Sequence, residues 1–105
     1  MTRRVTIRDL ARAQIVEAFN RYNLLSRPRG DDFLSAVDAR IEEIVAFPFA
    51  YSILWGETRR VVLKNFSYVL LYTVREYEDE TVIVIVACVH ERSDSQTWRM
   101  MSQSE

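Results

Sequence analysis

The chain has 105 residues, 49% of them hydrophobic, with two glycines, two prolines and a formal net charge of -1. That length and balance describe a single globular domain over residues 1–105, exclude a disordered or low-complexity chain, and give no charge-based reason to expect a nucleic-acid partner. No apolar run exceeds eight residues and the start MTRRVTIRDL is polar, so neither a membrane span nor a secretory signal is expected and the protein is read as cytoplasmic.

The stretch RRVTI suits an edge strand. Asp9 stands where a helix N-cap would, and Ala11, Ile15, Ala18, Phe19, Tyr22 and Leu25 recur at helical spacing, which predicts a helix from about Asp9 to Leu25. SRPRGDD ends it: Pro28 biases Arg27 away from helical dihedrals, Gly30 supplies a permissive turn residue, and Asp31 or Asp32 can cap the next helix. Phe33, Leu34, Val37, Ile41, Ile44 and Val45 form the apolar stripe of that second helix, with Asp38, Arg40, Glu42 and Glu43 opposite. Two helices joined this closely form an antiparallel hairpin.

FPFAYSILWGETRR contains a proline, a glycine and four aromatics, and reads as an irregular connection in which Phe47, Phe49, Tyr51 and Trp55 serve packing. Beyond it the pattern is β. Arg59 to Asn65, Tyr68 to Arg75 and Thr81 to His90 are rich in Val, Ile, Leu and Tyr, and EYEDE makes an acidic hairpin loop between the last two. A short helix from about Gln96 to Met101 follows, and Ser102 to Glu105 fray. The fold class is α+β: an N-terminal antiparallel helix hairpin packed on a small antiparallel β-sheet.

The last strand is apolar on both parities, Val82, Val84, Val86 and Cys88 pointing one way and Ile83, Ile85, Ala87 and Val89 the other, which makes it the central strand. The helix hairpin covers one face. A bare second face would leave about three large aliphatics wet at roughly 1.5 to 3 kcal/mol each, comparable with the stability of a small domain. Loop 47–56, the C-terminal segment or another chain must cover it. Cys88 is the lone cysteine, with only His90 near it at ligand spacing, so no disulfide, metal or other cofactor is expected. Of 14 basic residues only Lys64 is a lysine, a bias that a GC-rich genome explains as readily as selection for carboxylate or phosphate forks.

TRRVVLKNFSYVLLYTV followed by VIVIVACVHERSD resembles the RelE/ParE superfamily of toxins from bacterial type II toxin–antitoxin systems, on the ParE-like side. The residues that carry the resemblance are Arg59, Arg60, Phe66, Ser67, Tyr68, Tyr72, His90, Arg92 and Asp94, and the hairpin residues Ala11, Tyr22, Gly30, Phe33, Ile44 and Pro48 fall where the family has them. The resemblance implies a plasmid-stabilisation type of toxin, held inactive by a separately encoded antitoxin that wraps its surface and could cover the second sheet face. A homodimer through that face is the alternative.

Two mechanisms divide the superfamily. RelE-like members cleave messenger RNA on the ribosome without a metal, which needs a proton acceptor, a proton donor and cations over the developing charge. ParE-like members poison DNA gyrase and need a surface. Where the RelE-type site has basic groups and a tyrosine, this chain has Val62, Val69 and Trp98, while Arg60 and Arg92 are kept. The resemblance therefore implies a toxin acting on gyrase or another protein, with Arg59, Arg60 and Trp98 as target- or antitoxin-binding residues. A ribosome-dependent endoribonuclease using His90 as base with Arg92 and Lys64 is the competing reading, and a degenerate, non-toxic binding module is a third. A histidine at a strand end also serves as a hydrogen-bonded structural residue, and Arg59 and Arg60 can pair with Glu57 and Glu76 at the rim.

Overall fold

The structure is a computed structural model that describes residues 2–93 and Trp98. Its elements run β1 (Thr2–Ile7), α1 (Asp9–Leu25), α2 (Arg27–Ala46), β2 (Ile53–Trp55), β3 (Thr58–Val62), β4 (Tyr68–Glu76) and β5 (Glu80–His90). The sheet has five strands in the order β1-β5-β4-β3-β2, with β1 parallel to β5 and every other pair antiparallel. The class is α+β as expected, with two additions. FPFAYSILWGETRR is not wholly irregular, because Ile53–Trp55 pairs with β3; β5 is interior, but the middle strand of the five is β4. The helix placed at Gln96 to Met101, the frayed end and Asp94 lie outside the described residues, Trp98 excepted. No helix among the described residues is long and apolar enough to cross a membrane.

The hairpin begins and turns differently from the sequence expectation. Arg8, with extended dihedrals and no side-chain cap, precedes α1, and Asp9 sits in the first turn, where its charge favours the positive end of the helix. Ser26 alone makes the joint: its N–H donates to the Tyr22 carbonyl, closing α1, and its hydroxyl accepts from the Arg29 N–H, opening α2. Pro28 is tolerated because it stands in the first turn of α2. Asp31 and Asp32 are thus inside the helix and cap nothing, and Gly30 is a contact residue instead of a turn residue. A Cβ on Gly30 would lie 3.0 Å from the Asn23 Cβ and 3.1 Å from the Phe19 ring, so the glycine lets the two helices touch. Leu25, assigned to the apolar stripe, is exposed at the joint.

Ala11, Ile15 and Ala18 of α1 and Phe33, Val37 and Ile44 of α2 meet Val61, Leu70, Tyr72, Ile83, Ile85 and Cys88 in one buried cluster. The opposite face of the sheet carries a second cluster: Val69, Leu71, Val82, Val84, Val86, Ala87 and Val89, with Trp98 and Leu54 packed on it. The cover that β5 requires thus includes two residues of the chain itself. One bulge sets which residues face which way. Leu71 pairs with Ala87 while Tyr72 pairs with Ile85, leaving Val86 without a partner on β4. The extra residue reverses the alternation, so Cys88 joins Ile83 and Ile85 on the helix side, and Ala87 and Val89 join Val82, Val84 and Val86 on the other. Strict period-two reading had put Cys88, Ala87 and Val89 on the wrong faces. Beyond Ile85 strand β1 has ended, and the Cys88 N–H that it would have paired donates instead to the Gln14 Oε1 of α1 at 2.8 Å.

Two substitutions test this packing. Gly30→Ala gains about 1 kcal/mol in helix propensity but forces a Cβ into Asn23, an overpacking cost of about 1–3 kcal/mol; net destabilisation is expected, measured by urea unfolding. Tyr72 is fully buried and donates its hydroxyl to the Pro48 carbonyl at 2.7 Å. Tyr72→Phe leaves that carbonyl without its partner and is expected to cost about 1–3 kcal/mol in the same assay.

Candidate functional site

The residues singled out by the sequence fall into separate places. Strand β5 ends at His90, whose partner across the ladder is Tyr68. The two rings meet edge to face with centroids 5.3 Å apart. The chain then turns back: Glu91 N–H donates to the Ser67 carbonyl, Ser93 N–H to the His90 carbonyl, and Arg92 N–H to the His90 Nδ1 at 3.1 Å. Since Nδ1 accepts, the neutral ring carries its proton on Nε2. The lone pair that a general base needs is therefore engaged by the backbone, and His90 acts as the latch of its own turn.

A cavity of about 210 Å³ lies beside it, lined by Gln14, Glu17, Arg21, Tyr68, His90 and Ser93 among others. Arg21 donates to the Tyr68 hydroxyl at 3.0 Å and to Glu17. Burial, the largest influence, raises the Tyr68 phenol above its ordinary pKa, so it stays protonated at neutral pH. The sequence reading missed Gln14, Glu17 and Arg21. Their signal was available, since spacings of three and four residues put them on one side of α1.

Lys64 lines a different cavity, of about 340 Å³, with Arg29, Arg40, Glu43 and Phe66. It belongs to the turn between β3 and β4, where Asn65 takes a positive φ of 69°, a conformation asparagine tolerates. Arg29 anchors this turn by donating to the Asn65 carbonyl at 3.0 Å and by stacking its guanidinium 4.2 Å from the centre of the Phe66 ring. Phe66 in turn packs edge to face on Tyr22 and Phe33. His90 and Lys64 thus line separate cavities, and Arg92 is exposed on the turn beyond β5.

Arg59 and Arg60 also part company. Arg59 pairs with Tyr72 and stands on the helix side, whereas Arg60 pairs with Leu71 and stands on the second face. Arg59 donates to the Phe49 and Tyr51 carbonyls at 3.3 and 2.7 Å, so Glu57 and Glu76 are not its partners. Arg60 lies with its guanidinium 5.9 Å from the centre of the Trp98 ring. Trp98 itself is 5% exposed, and its Nε1 finds no hydrogen-bond partner among the described residues. In this structure its indole is packing, not a presented surface. Phe47 and Phe49, assigned to packing, are instead more than half exposed. Burial pushes the Cys88 thiol up to about 12, so it is a poor nucleophile at neutral pH. Among the described residues no cluster of three His, Cys, Asp or Glu side chains could hold a metal ion.

No curated protein matches the chain in sequence. Among solved structures the fold is similar to that titled "Chromosomal ParDE TA system from P. aeruginosa", with a TM-score of 0.54 and 16% identity over 86% of this chain and 95% of that one. The family model described as ParE toxin of type II toxin–antitoxin system, parDE, matches residues 5–95. With most of its length matched, the chain belongs to the ParE toxin family.

Proposed function

We propose that the chain arrests growth by binding a protein target, DNA gyrase in the first instance, and is neutralised by a cognate antitoxin. The observation that supports a binding mechanism over RNA cleavage is that Lys64 stands apart from His90 and Arg92. Metal-free cleavage needs a base, an acid and cations within hydrogen-bond reach of one phosphate. Here the basic nitrogen of His90 is held by the Arg92 N–H, and Lys64 lines another cavity. Arg21, which lines the cavity with His90, is already paired with Glu17 and Tyr68.

Supercoiling by purified gyrase and mapping of mRNA ends in a translation extract, each supplied with the purified protein, separate the mechanisms. Inhibited supercoiling with intact mRNA is the expected result. Messenger RNA cut within codons, with cleavage abolished in His90→Ala, would sink the binding mechanism. The same variant has a second readout. Loss of the Arg92 hydrogen bond and the Tyr68 ring contact is expected to lower unfolding free energy by about 1–2 kcal/mol, while toxicity at equal folded protein is unchanged.

A further inference from the structure

The second face of the sheet carries a positive charge, whereas the chain as a whole has a net charge of -1. Strands β1 and β4 turn Arg4, Thr73 and Arg75 to the side of Val82 and Val84, and β3 turns Arg60 the same way. Among the described residues the carboxylate that the strands bring to that side is Glu80, and Arg4 holds it at 2.7 Å. At the end of β1 a cavity of about 800 Å³ opens on this face, lined by Val84 and Val86 of the sheet together with Arg8, Leu10, Arg75 and Tyr77. Asp9 lines it too, in the first turn of α1, where the helix end already favours its charge. Partial burial, and after it the charge of Arg75, lowers the Arg8 guanidinium from its ordinary pKa, and the group stays charged at neutral pH. Thr73, the ladder partner of Val84, has a buried hydroxyl with no partner among the described residues.

We infer that this cavity is where the antitoxin docks, through an acidic segment that lays an aliphatic side chain against Val84 and Val86 and places a carboxylate between Arg8 and Arg75. The inference rests on the neutralising partner proposed above. Two like charges gathered in one partly buried place are unfavourable by themselves, and the entry of an opposite charge reverses the sign. A guanidinium has five N–H donors, so Arg8 and Arg75 can keep the neighbours they already have and still fork a carboxylate. The sign of the face also decides among occupants. In a symmetric dimer formed through this face the same patch meets itself, arginines against arginines. An acidic segment of a different chain meets no such repulsion, and the family to which the chain belongs pairs its toxins with one such partner, the antitoxin. A neutralising partner has to stay bound, and a charge pair desolvated beside an apolar base acts chiefly by slowing release.

The test uses the full-length chain and its full-length cognate antitoxin. Arg8→Glu/Arg75→Glu is compared with wild type and with the control Arg12→Glu/Arg27→Glu, which makes the same charge change at exposed helix positions. The cavity variant is expected to bind the antitoxin at least about tenfold more weakly and to escape neutralisation, while it arrests growth at the same amount of folded protein as wild type. The control behaves as wild type in both assays. A panel of antitoxins, each with one Asp or Glu changed to Arg, is expected to include one that restores binding to the cavity variant. Should charge reversal lower the thermal midpoint, Arg8→Gln/Arg75→Gln is read in the same way. Unchanged affinity for the antitoxin would overturn the inference and leave the toxin reading standing. Lost growth arrest with antitoxin binding intact would overturn it by giving the cavity to the target. A wild type that sediments as a dimer, with the cavity variant a monomer, would overturn it in favour of a second copy. A wild type that the antitoxin does not neutralise would overturn the neutralisation reading and the inference with it.

Discussion

The structure depends on one constraint: β5 is apolar on both sides and has to be dry on both sides. Ile83, Ile85 and Cys88 are closed off by the helix hairpin, and Val82, Val84, Val86, Ala87 and Val89 lie in the cluster to which Trp98 and Leu54 belong. Each covering layer has its own weak point. Toward the helices it is the end of β1, where the Cys88 N–H is satisfied only because Gln14 reaches across. On the other face it is polar accounting, since among the described residues the two buried side-chain atoms without a partner, Thr73 Oγ1 and Trp98 Nε1, belong to that side. Orphaned buried groups cost free energy, and that face is accordingly the less well satisfied of the two.

The arginine bias acquires a structural meaning. Arg3 donates to the Val45 and Ala46 carbonyls at the end of α2, Arg29 to Asn65, Arg40 to Val62, and Arg59 to Phe49 and Tyr51. Four arginines thus satisfy carbonyls that the regular elements leave open at their ends. A guanidinium can donate to a carbonyl while it lies over an aromatic ring, as Arg29 does with Asn65 and Phe66 and Arg59 with Tyr51 and Phe49. Residues that looked like a reservoir for binding anions are largely engaged in holding loops.

The residues that carry the family signature also have structural work at the end of β5. His90, Arg92 and Tyr68 keep the spacing that marks the superfamily, because that spacing closes the end of β5 against the turn before β4. A latch and a catalytic base demand the same residue at the same place. They differ in where the lone pair points, which no sequence states.

Much of the fold was legible from residue order. Helical spacing placed α1 at its observed limits, and the runs of β-branched residues located β4 and β5 to within a residue or so. Local chemistry decides those features: propensity, period and turn residues act within a few positions. The faces of Cys88, Ala87 and Val89, the role of Gly30 and the exposure of Phe47 and Phe49 were settled only in three dimensions. Each depends on a partner in another element: the bulge on β4, the helix crossing on Asn23 and Phe19 of α1, the loop on Tyr72. The sequence by itself determined that β5 must be buried twice; the tertiary structure decided which residues bury it, because register and helix crossing are fixed by contacts between segments and not within them.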